Sequence, residues 1–335
     1  MNKIAIHDAK GSFSDLWIEY CKTNSIYYKI VDCYASDIIQ QLEDCYALMW
    51  HFSQNSSKDF LFAKQLIYSV EAMGKKVFPD FHTAWHFDDK VGQKYLLEAI
   101  GAPLVPSHVF YSKQNALSWA HQTTYPKVFK LRGGAGSQNV RLASSKTEAI
   151  RLIKQAFGRG FQVYDPMNSL KERWNKFRLG KANVKDVLKG IIRFAYPPTY
   201  AKVKGRETGY IYFQDFIPDL SVDYRLNVIN GSCYACQRQV RKGDFRASGS
   251  GVINYDHSVI PIEMVQIAFD VSKKLNLQSI AFDFILNNKV PQIIEMSYCF
   301  SIDPEDGENG YWTPDLNFHT ERFNPQGWMV EEMIK

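Results

Sequence analysis

The chain has 335 residues, 45% hydrophobic and 22% charged, with a formal net charge of +5, enough apolar mass for a large core built from two or three subdomains. Its six cysteines, Cys21, Cys33, Cys45, Cys233, Cys236 and Cys299, lack the spacing of a disulfide framework and suit a reducing compartment. No run of about eighteen apolar residues could span a bilayer and MNKIAIHDAKGSF lacks a long apolar core, so a cytoplasmic location is expected.

From the N-terminus, KIAIHD reads as a strand, SDLWIEYCKTN as a helix and YYKIVDCY as a second strand. SDIIQQLEDC offers a helix start at Ser36 or Asp37, and YALMWHF is the apolar run a buried parallel strand needs. KDFLFAKQLIYSVEAMG is a helix stopped by Gly74, and KKVFP a further strand. Strands alternating with helices imply a doubly wound parallel sheet of about four strands. Trp50, His51 and Phe52, with His7 and Asp8, fall at carboxyl ends of strands, where open α/β sheets place ligands; packed histidines are the plainer reading.

YPKVFKLRGGAGSQNVRL, from Tyr125 to Leu142, is a hairpin whose first strand ends at Lys130. Gly133, Gly134 and Gly136 in its tip let backbone amides approach an anion without Cβ interference. Alone this is weak: it matches neither GxxxxGK[ST] nor GxGxxG, and most glycine-rich tips are ordinary turns.

The stretch from Lys171 to Arg206 holds eleven Lys or Arg against Glu172 and Asp186, a local charge of 11 − 2 = +9 in a chain of +5. Within it VKDVLKGIIRFA places Val184, Val187, Leu188, Ile191, Ile192 and Ala195 at helical spacing, with Lys185, Lys189 and Arg193 four apart on another face. Either the apolar face packs on the body of the protein, or the helix meets an anionic membrane or a phosphate-rich substrate. Nucleic acid is disfavoured, because Trp174 and Phe177 do not recur as stacking platforms.

YIYFQDFIPDLSVDYRLNVINGSCYACQRQVRKGDFRASGSG then gives a strand, a loop and a hairpin turning at Asn230 and Gly231, followed by a basic tail. Cys233 and Cys236 sit three apart in a strand and so face opposite sides, which argues against a redox or zinc pair. SIAFDFILNNKVPQIIEMS is a second hairpin, turning at Asn287 and Asn288, with Asp283 and Glu295 inside apolar strands. Such carboxylates are costly unless partnered; they face solvent on one side of a strand or collect a hard cation such as Mg²⁺. The segment GYWTPDLNFHTERFNPQGW has the composition of an ordered loop, with Tyr311, Trp312 and His319 as candidate walls of a ligand pocket.

The order of lysine hairpin, linker strand, arginine hairpin, helix and acid hairpin resembles the ATP-grasp superfamily, particularly the branch of glutathione synthetase and the ribosomal-protein glutamate ligase, over roughly residues 87–301. The resemblance implies a small parallel α/β domain at 1–86 and two α+β subdomains clamping ATP, at 87–212 with a basic insert at 160–206 and at 213–335. It implies that FDDKVGQKYLLEAIGAPLVP supplies a first phosphate lysine, Lys90, that VFK supplies a second, Lys130, and that GGAGSQ, with Ser137, forms a mobile flap. QDFI would read the purine through Gln214 or Asp215 and the backbone of Phe216 and Ile217, while Asp223 would meet the ribose. Arg225, Arg238 and Arg246 would clamp phosphate or substrate, and Asp283 and Glu295 would hold Mg²⁺.

Two positions depart from the family pattern: Ser297 stands where Glu-x-Asn is usual in the metal strand, and Ser248 where the glutamate ligase has asparagine. If Ser297 ligates the metal, it offers a hydroxyl in place of an amide carbonyl. The implied activity is an ADP-forming carboxylate-amine ligase that passes through an acylphosphate. Its partners would be a small-molecule or glycan carboxylate and an amine. The aromatic tail resembles ATP-grasp proteins of surface-polysaccharide biosynthesis, which adds a sugar carboxylate on a nucleotide-linked or anionic lipid-linked carrier, and a peripheral position at the inner membrane surface. An amino-acid ligase acting on a peptide or protein tail and a nucleotide-binding protein without turnover are the alternatives; a homodimer is compatible with each.

Overall fold

The computed structural model describes residues 3–134, 139–178, 180, 182–240, 251–301, 303 and 305–335, with the backbone alone at residues 172, 175 and 176. The first stretch runs β1 (Ile4–His7), α1 (Phe13–Thr23), β2 (Tyr28–Val31), α2 (Ile38–Gln41), β3 (Ala47–Met49), α3 (Ser57–Ala72), β4 (Lys76–Phe78), α4 (Phe81–Ala84) and α5 (Lys90–Ala99). Its four strands are parallel, in the order β2-β1-β3-β4. Both faces are buried, as the apolar runs require: Ile4, Ile6, Ala47 and Met49 enter one core, and Ala5, Leu48 and Val77 another. Ser12, Ser56 and Asp89 cap α1, α3 and α5 through their side chains, whereas α2 makes a single turn and Asp37 at its start gives no capping bond. Gly74, at φ +75°, takes the left-handed conformation that ends α3.

The middle stretch contains β5 (Ser107–Phe110), α6 (Lys113–Gln122), β6 (Lys127–Lys130), β7 (Arg141–Ala143), α7 (Lys146–Ala156), β8 (Phe161–Gln162), α8 (Pro166–Arg178), α9 (Val184–Ile192), α10 (Thr199–Lys204), β9 (Arg206–Glu207) and β10 (Ile211–Asp215). An antiparallel sheet in the order β5-β10-β6-β7 packs Phe129 and Phe213 against α6 and α7, forming a core of its own. β8 and β9 pair antiparallel and pinch together the two ends of the basic excursion α8–α10.

The last stretch supplies β11 (Val222–Ile229), β12 (Ser232–Gln239), β13 (Ile253–Asn254), α11 (Ile262–Lys274), β14 (Ser279–Asn287), β15 (Val290–Ser297), β16 (Tyr311–Trp312), β17 (Phe318–His319) and α12 (Pro325–Ile334). Its seven-stranded sheet runs β15-β14-β11-β12-β16-β17, with β13 on β12. Asn230 and Gly231, at φ +46° and +77°, make the expected β11–β12 turn. The β14–β15 turn falls one residue later than the sequence suggested: Asn287 pairs with Val290, and Asn288 and Lys289 take the positive φ.

The tail is also not the loop its composition suggested. β16 and β17 extend the sheet and α12 begins at Pro325, so Trp312, paired with Cys233, is buried in the core and forms no pocket wall. Tyr311 and His319 stack on one another, with ring centroids 5.1 Å apart.

One face of the large sheet, with Leu226, Val228, Phe282 and Met296, shares a core with the N-terminal sheet, α3 and α11. Ile229, Tyr234 and Ala281 join a second core with α1 and α12. The N-terminal sheet is thus built into the same body as the large sheet, while the small sheet stands on separate packing.

Candidate functional site

Across the large sheet one register line reads Glu295, Asp283, Arg225 and Cys236, one residue from each of β15, β14, β11 and β12; the neighbouring pair is Asp223 and Arg238. Alternation therefore puts the charges on one face and apolar residues on the other. Cys233 and Cys236 fall on opposite faces, and burial pushes the Cys236 thiol up to about 12.

Arg225 grips Asp283 with two nearly parallel hydrogen bonds, Nε to Oδ1 at 2.9 Å and an Nη to Oδ2 at 3.0 Å. Arg238 reaches Asp283 Oδ1 at 3.0 Å and donates twice to Asp223. Although burial opposes ionisation, the two guanidiniums hold the Asp283 carboxyl well below the usual carboxylate range. Asp223 is 1% exposed, and both its oxygens accept from Arg238, its cross-strand partner.

Two lysines approach the Glu295 end from different elements. Lys90, the first residue of α5, lies 3.3 Å from Glu295 Oε1 and donates to the Gly134 carbonyl oxygen at 2.8 Å. Burial works against its charge, but the carboxylates of Glu295 and Asp88 raise its pKa. Lys130, at the end of β6, donates to Gln214 Oε1 at 2.6 Å, and burial pushes its pKa down to about 8. Gln214 also reaches toward Ser107 Oγ (3.2 Å) and the Ile294 carbonyl (3.4 Å), tying the small sheet to the strand that carries Glu295.

Gln93 on α5 donates to the Met296 carbonyl at 2.7 Å and accepts from the Met296 amide at 3.4 Å, fixing the Lys90 helix to the same strand. With Lys90, Lys130, Arg225 and Arg238 against Asp223, Asp283 and Glu295, the cluster carries 4 − 3 = +1, a surplus suited to an anionic ligand.

Other expected residues are placed differently. Asp215 points to the helix-covered face of β10, where its Oδ1 is 2.7 Å from Lys127 Nζ and 3.1 Å from His108 Nε2; strand alternation removes it from the lysine cluster and leaves Gln214 there. Phe216 and Ile217 are half-buried in the linker between β10 and β11. The Ser297 hydroxyl donates to the Cys299 carbonyl at 2.8 Å. Gly136, Ser137, Arg246 and Ser248 lie outside the described residues.

His51 stacks on Phe13 at 3.8 Å and accepts from the Phe13 amide, and burial lowers its pKa to about 4; His7 accepts from the Cys33 amide. Both histidines are packed.

Asp88 was not singled out from sequence. At φ +55° it accepts from the Gly134 amide and, at 2.7 Å, from Lys204 Nζ of α10, while Asp89 pairs with Arg132. A Cβ at position 133 would sit 2.9 Å from Asp88 Oδ2, so a larger residue there would have to displace the Asp88 carboxylate. The Asp88-Asp89 doublet before α5 was the available signal, since one acid suffices to cap a helix. Beside it opens a cleft of about 530 Å³, lined by Asp59, Lys64, Asp88, Arg132, Lys204 and Glu207 among others.

As to a metal, Mg²⁺ is commonly bound by one or two carboxylates and completed by phosphate oxygens and water. Asp283 and Glu295, directly opposed in register, supply two such carboxylates, of which Glu295 meets the lysine and Asp283 has both oxygens engaged by arginines. Among the described residues no group of three His, Cys, Asp or Glu side chains could hold a metal by itself, so phosphate oxygens would have to complete the shell.

No protein-family model matches the chain, and no curated protein matches it. Solved structures do. A RimK domain ATP-grasp protein from Sphaerobacter thermophilus matches with TM-score 0.59 and 13% identity over 99% of both chains. The D-cycloserine synthetase DcsG matches with TM-score 0.60 and 13% identity over 100% of both. The D-alanine–D-alanine ligase of Bacillus anthracis, solved with ATP, matches with TM-score 0.56 and 11% identity over 91% of this chain and 88% of that one. At these identities the likeness is one of fold: the chain has the ATP-grasp fold, a parallel α/β sheet followed by two α+β units.

Proposed function

We propose that this protein is an ATP-dependent carboxylate-amine ligase that forms an amide through an acylphosphate, releasing ADP and then phosphate. The observation that supports it best is the convergence of Lys90, Lys130 and Gln214 on the strand of Glu295, next in register to the Asp283–Arg225 pair. Phosphoryl transfer depends on positioning and charge neutralisation more than on a protein nucleophile, and this cluster offers both.

In this reading Lys90 and Lys130 bind the phosphates, and the Phe216–Ile217 backbone with Gln214 flanks the purine. Asp283 and Glu295 would hold Mg²⁺, with the hydroxyl of Ser297, two residues on along β15, as a further ligand. When bound, the metal adds charge neutralisation on the transferred phosphoryl. Arg225 and Arg238, with Arg246, would clamp phosphate or the substrate carboxylate, and segment 133–137 would cover the acylphosphate against water. The cleft bounded by Asp88 and Lys204, lined by both charge signs, takes the acceptor. Candidate acids are a small-molecule carboxylate, a sugar carboxylate such as a uronic acid on a nucleotide or lipid carrier, and a peptide terminus.

A second reading, nucleotide binding without turnover, is favoured by the two guanidiniums already on Asp283 and by the Ser297 hydroxyl donating to Cys299. Measuring Mg²⁺-dependent ADP and phosphate release with pooled carboxylates and pooled amines separates the two. ADP formed only when acid and amine are both present establishes the ligase; tight ATP binding with no release in any pool overturns it.

A further inference from the structure

The surface of α9 is divided into three lengthwise faces. Val187 and Gly190 are buried against α8, so close that a Cβ at position 190 would meet the Leu170 side chain at 2.9 Å. Going round the helix, Val184, Leu188, Ile191 and Ile192 come next, and all four are 53–57% exposed. Packing on the rest of the protein is taken by Val187 and Gly190, and the other apolar residues of the helix face outward. The third face carries Lys185, Lys189 and Arg193. Lys185 and Lys189 are exposed, with Asp186 4.0 Å from Lys189, and Arg193 is half-buried and donates to the Tyr196 carbonyl. Phe194 and Tyr196, 48% and 67% exposed, follow at the end of the helix.

An outward apolar stripe beside a basic stripe, with aromatics at its end, is the pattern of a helix lying in the interface of a lipid bilayer. From these faces we infer that α9 docks the protein on an anionic membrane surface, its apolar stripe among the acyl chains and Lys185 and Lys189 on the lipid headgroups. The local charge of +9 between Lys171 and Arg206 adds longer-range attraction to such a surface. A second copy is the poorer occupant, because pairing these stripes would bring together two segments that each carry a local charge of +9. The inference is independent of the reaction proposed for the lysine–carboxylate cluster.

The test is co-sedimentation of the full-length protein with vesicles of phosphatidylcholine alone and with 30% phosphatidylglycerol (about that fraction, chosen to give a strongly negative surface). Binding should require the anionic lipid and weaken with salt. Lys185→Gln with Lys189→Gln should weaken it about thirtyfold, from the loss of two surface charges. Leu188→Ser with Ile192→Ser should weaken it more than tenfold. Both pairs are exposed, and unchanged circular dichroism and melting would show that the fold is intact. Equal or absent binding to both vesicle types overturns the inference. So does a concentration-dependent dimer that the serine pair abolishes in a protein that binds no vesicles, since a second copy then covers the stripe.

Discussion

Asp283 and Glu295 face each other directly across β14 and β15, yet their counter-charges differ in kind. Asp283 is fixed by planar guanidiniums of its own sheet, and Glu295 is met by Lys90 from a helix. A guanidinium fork holds a carboxylate in one orientation, whereas an ammonium is a compact charge on a flexible stem. Glu295 is therefore the acid able to exchange its cation, and Asp283 the one whose geometry is preset.

Exchange of Glu295 for Gln should raise the Mg²⁺ concentration needed for half-maximal ADP release at least tenfold, with a stability loss of about 1–3 kcal/mol, because the buried Lys90 ammonium loses its counter-charge and keeps the Gly134 carbonyl as a partner. Titration of ADP release with Mg²⁺ checks it. An unchanged Mg²⁺ requirement would remove Glu295 from the metal site.

Lys130 should show function bought at the expense of stability. Burial lowers its pKa to about 8 from the ordinary lysine value of 10.5, so the buried charge costs on the order of 3 kcal/mol below pH 8. The unfolded chain keeps its proton up to about pH 10.5, so the cost is progressively relieved as pH rises from 8 to 10.5. Lys130→Met should accordingly melt higher at pH 7, with the gain shrinking above pH 8, and should bind ATP at least tenfold more weakly. Calorimetric melting across that pH range and ATP titration test both halves.

Two buried histidines should set an acid limit. His51 and His86 each have folded pKa values near 4 against 6.5, and neither ring nitrogen of His86 finds a hydrogen-bond partner among the described residues. Both are neutral above pH 6.5, where this part of the stability is complete; it is lost as pH falls from 6.5 toward 4, with a combined slope of up to about 2.7 kcal/mol per pH unit. Denaturant melts between pH 4 and 7 would show it, and a flat profile would contradict the neutral packing.

Asp88→Ala should free both the Gly134 amide and Lys204. Faster hydrogen exchange at Gly134 is expected, with a stability loss of about 1–3 kcal/mol from a buried ammonium left unpaired. Exchange at Gly134 matching the parent would show that the turn is held by Lys90 alone.

The sheets were legible in sequence because alternation and turn residues are local: the parallel N-terminal sheet and both long hairpins follow from them, and the acids stand out against Phe282, Phe284 and Ile294. What sequence could not give was register and coverage. The Asp223–Arg238 pair depends on which residues oppose across β11 and β12, and the β14–β15 turn moved by one residue. Asp88 acts on a glycine 46 residues away and a lysine 116 residues away, separations no local pattern carries. Helical periodicity divided α9 into faces, yet only packing showed that Val187 and Gly190 form the covered one.

The amide of Gln93, bonded to both backbone groups of Met296, makes Lys90 and Glu295 parts of one rigid piece, while Lys130 rides on a sheet with separate packing. If the site binds ATP as proposed, it works like a caliper with one fixed jaw and one jaw held to it by the long Gln214–Ile294 bond. Swinging the small sheet would change the gap between the two ammonium groups without disturbing the acid that faces them. Nucleotides differing in phosphate length should therefore be accommodated by movement of the whole sheet β5-β10-β6-β7.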